Sequence, residues 1–279
     1  MGDMSGRTVL ITGASTGIGL ATAKALAARG GRLFLACRSA AKGRAAVAEV
    51  VAASGNHDVD LLDLDLADLA SVDKCARDFA SRGEPLHVLV NNAGVAGHRG
   101  LTEDGFELTF GVNHLGHFAL TMGLLDLLVA SGPSRVVNVS SDAHYSARTV
   151  DFGALRRVTR PVTGYAEYRV SKLCNVLFTQ ELARRLAGTG VTAYCVHPGV
   201  VASDIWRKVP WPVRPLMTRF MIDTDRGAET SVYCAASPEV ASASGLFYDR
   251  CREREASPRA TRRLAEELWA HSEQWTGQR

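Results

Sequence analysis

Tyr168 and Lys172 stand four residues apart in the run Tyr168-Arg169-Val170-Ser171-Lys172. On a helix that spacing puts both side chains on one face. A free tyrosine, with a pKa near ~10, is a poor acid-base catalyst at neutral pH. An ammonium beside it favours the phenolate, as would a cationic ring in a bound cofactor. Lowering the pKa by about two to three units takes roughly 3–4 kcal/mol of differential stabilisation, within reach of two cations in a partly dry cleft. Such a tyrosine can give a proton to a carbonyl oxygen while hydride arrives at its carbon. Ser140 and Ser141, at the end of an apolar run upstream, are the hydroxyls that could share that site.

A second chemical signature lies near the N-terminus. Val9, Leu10 and Ile11 form a short run fit for a strand buried on both faces, followed by Gly13, Gly17 and Gly19 and then the Ala-rich helical run Leu20–Arg29. Strand, glycine turn and helix in that order form a dinucleotide-binding arrangement. The turn residues Gly13, Ser15, Thr16, Gly17, Ile18 and Gly19 are its candidate pyrophosphate contacts, through free N–H groups at a helix N-terminus. The spacing, Gly-x3-Gly-x-Gly, differs from the general Gly-x-Gly-x2-Gly fingerprint. At the end of the second predicted strand stand Cys37 and Arg38. An acid in the place of Cys37 would bind a ribose 2′-hydroxyl and repel a 2′-phosphate. Here the acid is absent and a guanidinium follows, which suits a bidentate grip on a 2′-phosphate, with Lys42 placed to assist.

These groups need a frame, and the rest of the chain reads as one. Predicted strands at Arg32–Ala36, Asp58–Leu62, Val88–Val90, Arg135–Ser140, Val191–Val196 and Gly245–Phe247 alternate with helices at about Lys42–Ala53, Leu69–Ser81, Thr102–Val129 and Tyr165–Leu186. Ser257-Pro258 reads as the start of a last helix. The expectation is an α/β Rossmann fold, a doubly wound parallel sheet of about seven strands, forming a single domain over 1–279. Ligands of such sheets bind beyond the carboxyl ends of the strands, where the candidate residues fall.

Composition narrows the function classes. With 46% hydrophobic and 22% charged residues, the chain of 279 has the makings of an ordinary soluble core. A net charge of +3 is too weak to argue for nucleic acid, and Arg250–Arg263 reads as a solvated segment. Met1–Gly6 predicts neither signal peptide nor anchor, and no apolar run reaches the ~20 residues of a membrane span. Six scattered cysteines read as reduced thiols of a cytoplasmic protein. His114 and His117 lack a third partner for a metal, so no metal site is expected and both are assigned to packing or support. Residues 200–226, with Trp206, Trp211, Leu216, Met217, Phe220 and Met221 among prolines, read either as core or as a substrate cover.

Each pattern alone is common. Together Thr12-Gly13-x3-Gly17-Ile18-Gly19, Asn91-Asn92-Ala93-Gly94, Asn113, Ser141 and Tyr168-x3-Lys172 resemble the short-chain dehydrogenase/reductase family, in the family's order. Leu35-Ala36-Cys37-Arg38, Val112–Phe118, Val136–Ser141 and His197-Pro198-Gly199-Val200-Val201 resemble its retinol-dehydrogenase-like branch, so the likeness spans nearly the whole chain. The resemblance implies catalysis by Asn113, Ser141, Tyr168 and Lys172. Ser141, at the second position of the family's paired motif, would position the substrate oxygen, and Ser140, its neighbour on the strand, should point the other way. Lys172 also holds the nicotinamide ribose, and Asn113 supports a water-mediated proton relay. Asp65 and Leu66 would flank the adenine, Asn91, Ala93 and Gly94 would line the cleft, and Pro198, Gly199 and Val201 would meet the nicotinamide end. Thr16 stands where many NADP-dependent members carry a basic residue, so NADP(H) rests mainly on Arg38. The expected activity is hydride transfer between NADP(H) and the carbonyl or alcohol of a largely apolar small molecule. An NAD-dependent alcohol dehydrogenase and a non-catalytic cofactor sensor are the other readings. Relatives often pair through the helices around Asn113 and Tyr168, which implies a homodimer or homotetramer.

Overall fold

The computed structural model describes residues 2–159, 163–199 and 223–277. Its centre is an eight-stranded sheet in the order β3-β2-β1-β4-β5-β6-β7-β8. The strands are β1 (Thr8–Thr12), β2 (Arg32–Cys37), β3 (Val59–Asp63), β4 (Val88–Asn91), β5 (Ser134–Val139), β6 (Val191–His197), β7 (Leu246–Asp249) and β8 (Arg252–Arg254). The first seven run parallel, and β8 returns antiparallel to β7.

Strand residues divide by parity. Val9 and Ile11 of β1 pack with helices α1 (Gly17–Ala27), α2 (Ala40–Ser54) and α8 (Thr224–Ala236). Leu10, between them, faces the other layer, which includes α3 (Leu69–Ala80) and α5 (Gly116–Gly123). Because both faces are covered, continuous apolar runs are what such strands require. The strand order reverses between β1 and β4, whose ends are level, with Ile11 paired to Val90. That point is where an open α/β sheet leaves a crevice for a ligand.

Between β4 and β5 the chain does not form the single helix expected over 102–129. Leu101 bridges Glu107, and Glu107 caps α4 (Leu108–Phe110) by accepting from Phe110 N at 2.8 Å. A π-helical turn (Gly111–Leu115) then leads into α5, and α6 (Leu125–Ala130) follows. Between β5 and α7 (Tyr165–Arg185) lie two short 3-10 turns, Asp142–Ser146 and Ala154–Arg156.

At the C-terminal end the structure adds one strand and moves one helix start. The sheet, expected at about seven strands, has eight: Arg250 and Cys251, both at positive φ, form a two-residue turn that brings charged β8 onto the sheet edge. Ser257-Pro258 begins no helix. Ser257 Oγ accepts from Arg259 N at 3.3 Å and caps a turn, while Thr261 caps α9 (Arg262–Thr276) by accepting from Leu264 N. Helix α9 lies along α7 and the π-turn: Trp269 meets Phe118 edge-on at 5.0 Å, and Leu268 and Ala265 share a buried cluster with Leu173 and Leu177.

Candidate active site

Gly13, at φ 64°, turns the chain at the end of β1. A Cβ there would come within 2.8 Å of Ala93, so the glycine is what lets the first turn pass close to the turn after β4. Helix α1 starts at Gly17, and its N-cap Thr16 makes no side-chain capping bond. The first-turn amides are therefore left to an outside acceptor, with the positive end of an 11-residue helix behind them.

These groups open on a cleft of about 530 Å³. Gly13, Ser15, Thr16, Gly17, Ile18 and Gly19 line one end, with Arg38, Ser39 and Lys42 at the rim beside them. Asp65 and Leu66 follow β3, Ala93 and Gly94 follow β4, and Tyr168, Lys172 and Pro198 close the far end. Cys37 is buried beside the glycine turn, and that burial pushes its thiol up to about 11, so Cys37 itself adds no anion to the end of β2, where Asp63 is its neighbour on β3. Unsatisfied helix amides, a glycine cradle and a cation at the rim fit a phosphorylated dinucleotide.

At the far end Lys172 is 3% exposed and donates to the Val139 carbonyl at 2.9 Å, which leaves two of its N–H bonds for other acceptors. Asn175 donates to the same carbonyl at 3.1 Å. Lys172 Nζ lies 5.6 Å from the centre of the Tyr168 ring. Burial pulls the lysine down to about 8. The phenol of Tyr168 is pushed up to about 12, first by burial, against the hydroxyl of Ser141, which acts to lower it. In the free protein the phenol is thus shifted up, because burial outweighs the nearby hydroxyl, whereas the sequence expectation of a downward shift counted on a bound cofactor's cation as well as Lys172.

The two serines diverge. Ser140 Oγ donates to Lys172 O at 2.7 Å and fastens α7 to β5, whereas Ser141 lies beside Tyr168 and accepts from Ala143 N at 3.2 Å. Asn113 sits in the π-turn behind the cleft. Its Oδ1 accepts from Val95 N at 2.8 Å, and its Nδ2 donates to Val95 O and Ser171 Oγ, each at 3.0 Å.

Comparison with known proteins accords with this geometry. Residues 7–154 match the family model for short chain dehydrogenase. Retinol dehydrogenase 12 of Mus musculus is 46% identical over 274 residues, covering 96% of this chain and 85% of its own. Retinol dehydrogenase 13 of Homo sapiens is 42% identical, covering 98% and 85%. A crystal structure of an uncharacterized protein from Mycobacterium paratuberculosis superposes with a TM-score of 0.80 at 37% identity, over 100% of this chain and 96% of that one. The chain belongs to the short-chain dehydrogenase family.

Within that family it falls in the retinol-dehydrogenase-like branch, and it is an oxidoreductase by descent. Members use a nicotinamide cofactor. Of the expected residues, Asn91 and Gly199 do not line the cleft, and of the two serines it is Ser140, not Ser141, whose atoms reach its wall. Asn91 is buried beneath the floor, donating to Thr121 Oγ1 at 2.9 Å and Asn138 Oδ1 at 2.8 Å, because a strand residue pointing between β5 and α5 cannot also face the opening. Gly199, at φ 81°, turns the chain after Pro198. Val201 and residues 200–222 of the expected 200–226 cover lie outside the described residues, and 223–226 form the N-cap and first turn of α8. Sequence reasoning passed over Asn92, Val95, Ala96, His98, Leu108 and Val112, which also line the cleft. Their positions follow from the turn after β4 and from α4, whose break from the long helix carried no apolar signal.

Proposed function

We propose that this protein is an NADP(H)-dependent oxidoreductase that interconverts a carbonyl and an alcohol on a bulky apolar small molecule. The observation that carries the cofactor choice is Arg38 at the cleft rim, beside a buried neutral Cys37 and within one helical turn of Lys42. The RhlG protein of Pseudomonas aeruginosa, whose solved structure is an NADP active-site complex, superposes with a TM-score of 0.71 at 25% identity, over 88% of this chain and 94% of that one. That likeness supports the same reading.

The bound nicotinamide supplies or accepts the hydride. The chain's own residues do the rest: Tyr168 gives its proton to the substrate oxygen, Ser141 orients that oxygen, and Lys172 holds the ribose with the N–H groups not bound to Val139. The apolar substrate class is supported by the composition of 200–222, which includes Trp206, Trp211, Phe220 and Met221, and by relatives named for retinol. Free thiols at all six cysteines suit a cytoplasmic setting.

Titrating NADPH and NADH by fluorescence tests the cofactor choice. One charge-assisted contact from Arg38 is worth roughly 1.5–3 kcal/mol, so NADPH should bind about ten- to a hundred-fold tighter. Arg38→Ala should erase the difference. Equal affinities in the wild type would remove Arg38 from the account. Measuring kcat/KM over carbonyls of rising apolar area tests the substrate class, and a flat series would sink it.

A further inference from the structure

His117, on the first turn of α5, is 2% exposed and takes no part in the transfer steps above. Its Nδ1 lies 3.0 Å from the backbone oxygen of Asn113, and its Nε2 lies 2.8 Å from Thr12 Oγ1. A carbonyl oxygen only accepts, so Nδ1 must carry the proton, and in a neutral ring Nε2 is then a lone pair. The Thr12 hydroxyl therefore donates to Nε2. The rival acceptor, Val90 O, is farther away at 3.4 Å. With its hydrogen committed, the Thr12 oxygen accepts from Asn92 N at 2.9 Å and Ala93 N at 3.0 Å. Every donor and acceptor in this chain is thereby satisfied, and only one tautomer allows it.

We propose that His117 is a positioning residue for the cofactor cleft: its Nδ1–H tautomer takes the Thr12 proton and so turns the Thr12 oxygen into a double acceptor that pins the turn after β4. The role rests on the dinucleotide reading. The pinned residues Asn92 and Ala93 are cleft wall, and Asn113, the other end of the bridge, holds Val95 of the same turn. Three segments distant in sequence are thus set against each other by one imidazole. A ring protonated at Nε2 would aim a donor at an oxygen already holding two N–H groups. That geometry disfavours the neutral Nε2–H tautomer, and burial disfavours the doubly protonated cation, holding the ring down at about 4. His114 cannot stand in, since its Nε2 faces Ser272 Oγ at 3.2 Å.

The experiment joins two readouts on the full-length protein. Nitrogen-15 NMR of the His117 ring, without cofactor at neutral pH, should show a protonated Nδ1 and an unprotonated, hydrogen-bonded Nε2. NADPH affinity, read by fluorescence, should fall about tenfold in His117→Leu and in Thr12→Val, and no further in the double variant. Thr12→Ser should bind like wild type. His117→Gln, whose carboxamide offers both a donor and an acceptor, should recover part of the loss and covers the case in which His117→Leu does not fold. An Nε2–H tautomer, additive losses, or variants that bind as wild type overturn this role alone. A wild type that binds neither dinucleotide overturns the functional reading and this role together.

Discussion

At the level of single residues, the free protein keeps Tyr168 and Lys172 both protonated at neutral pH, since burial lifts one to about 12 and lowers the other only to about 8. Carbonyl reduction needs the phenol with its proton on, so kcat/KM in that direction should be level from about pH 6 to 7.5. Alcohol oxidation needs the phenolate, so its kcat/KM should climb with pH over the same range. Parallel profiles in the two directions would contradict the assignment. Tyr168→Phe should keep NADPH affinity and lose at least about 10²–10⁴-fold in turnover, because only the proton donor is removed. Wild-type rates in that variant would end the mechanism.

At the level of elements, the buried histidines make the fold acid-sensitive. His114 is held down at about 3 and His117 at about 4, in both cases first by burial, against 6.5 for the free side chain. Both are neutral in the fold and protonate on unfolding, so their contribution is complete above pH 6.5 and is lost as pH falls towards 4. Each takes away about 1.4 kcal/mol per pH unit in that window, and His144 and His197, also lowered by burial, act in the same direction. Urea midpoints measured at pH 7, 5.5 and 4.5 should fall steeply, and His114→Phe should shallow the slope. A midpoint independent of pH would show that the rings are solvated. These elements also mark how far the sequence could be read. Buried strands such as Val88–Val90 announce themselves as apolar runs, and the juxtaposition of Tyr168 with Lys172 follows from helical spacing, so the fold and that pairing were legible. Strand β8 was not, because Arg252-Glu253-Arg254 carries no apolar alternation and its turn uses Arg250 and Cys251 in place of glycine or asparagine. The upward shift of Tyr168 was hidden too, since desolvation depends on neighbours brought from β5 and the 3-10 turn after it.

For the molecule as a whole, α9 packs against α7, the π-turn and α5 through an aromatic and aliphatic cluster. Trp269 packs on Phe118 and, at 5.9 Å, on Phe178, while Trp275 meets Phe106 at 5.3 Å. Trp269→Ala should cost about 3–5 kcal/mol and lower Tm without changing cofactor preference. Removing 261–279 should bare this aromatic wall and drive self-association, visible as a mass increase in light scattering. A truncated chain that keeps the mass and stability of the intact protein would mean that α9 contributes little.

The wall that α9 completes is supplied by the same covalent chain, so its effective concentration is fixed by the tether and does not obey mass action. An enzyme that borrowed this wall from a neighbour would lose it on dilution, below the dissociation constant of the pair. Here the specific activity, measured from micromolar down to picomolar protein, should trace a horizontal line.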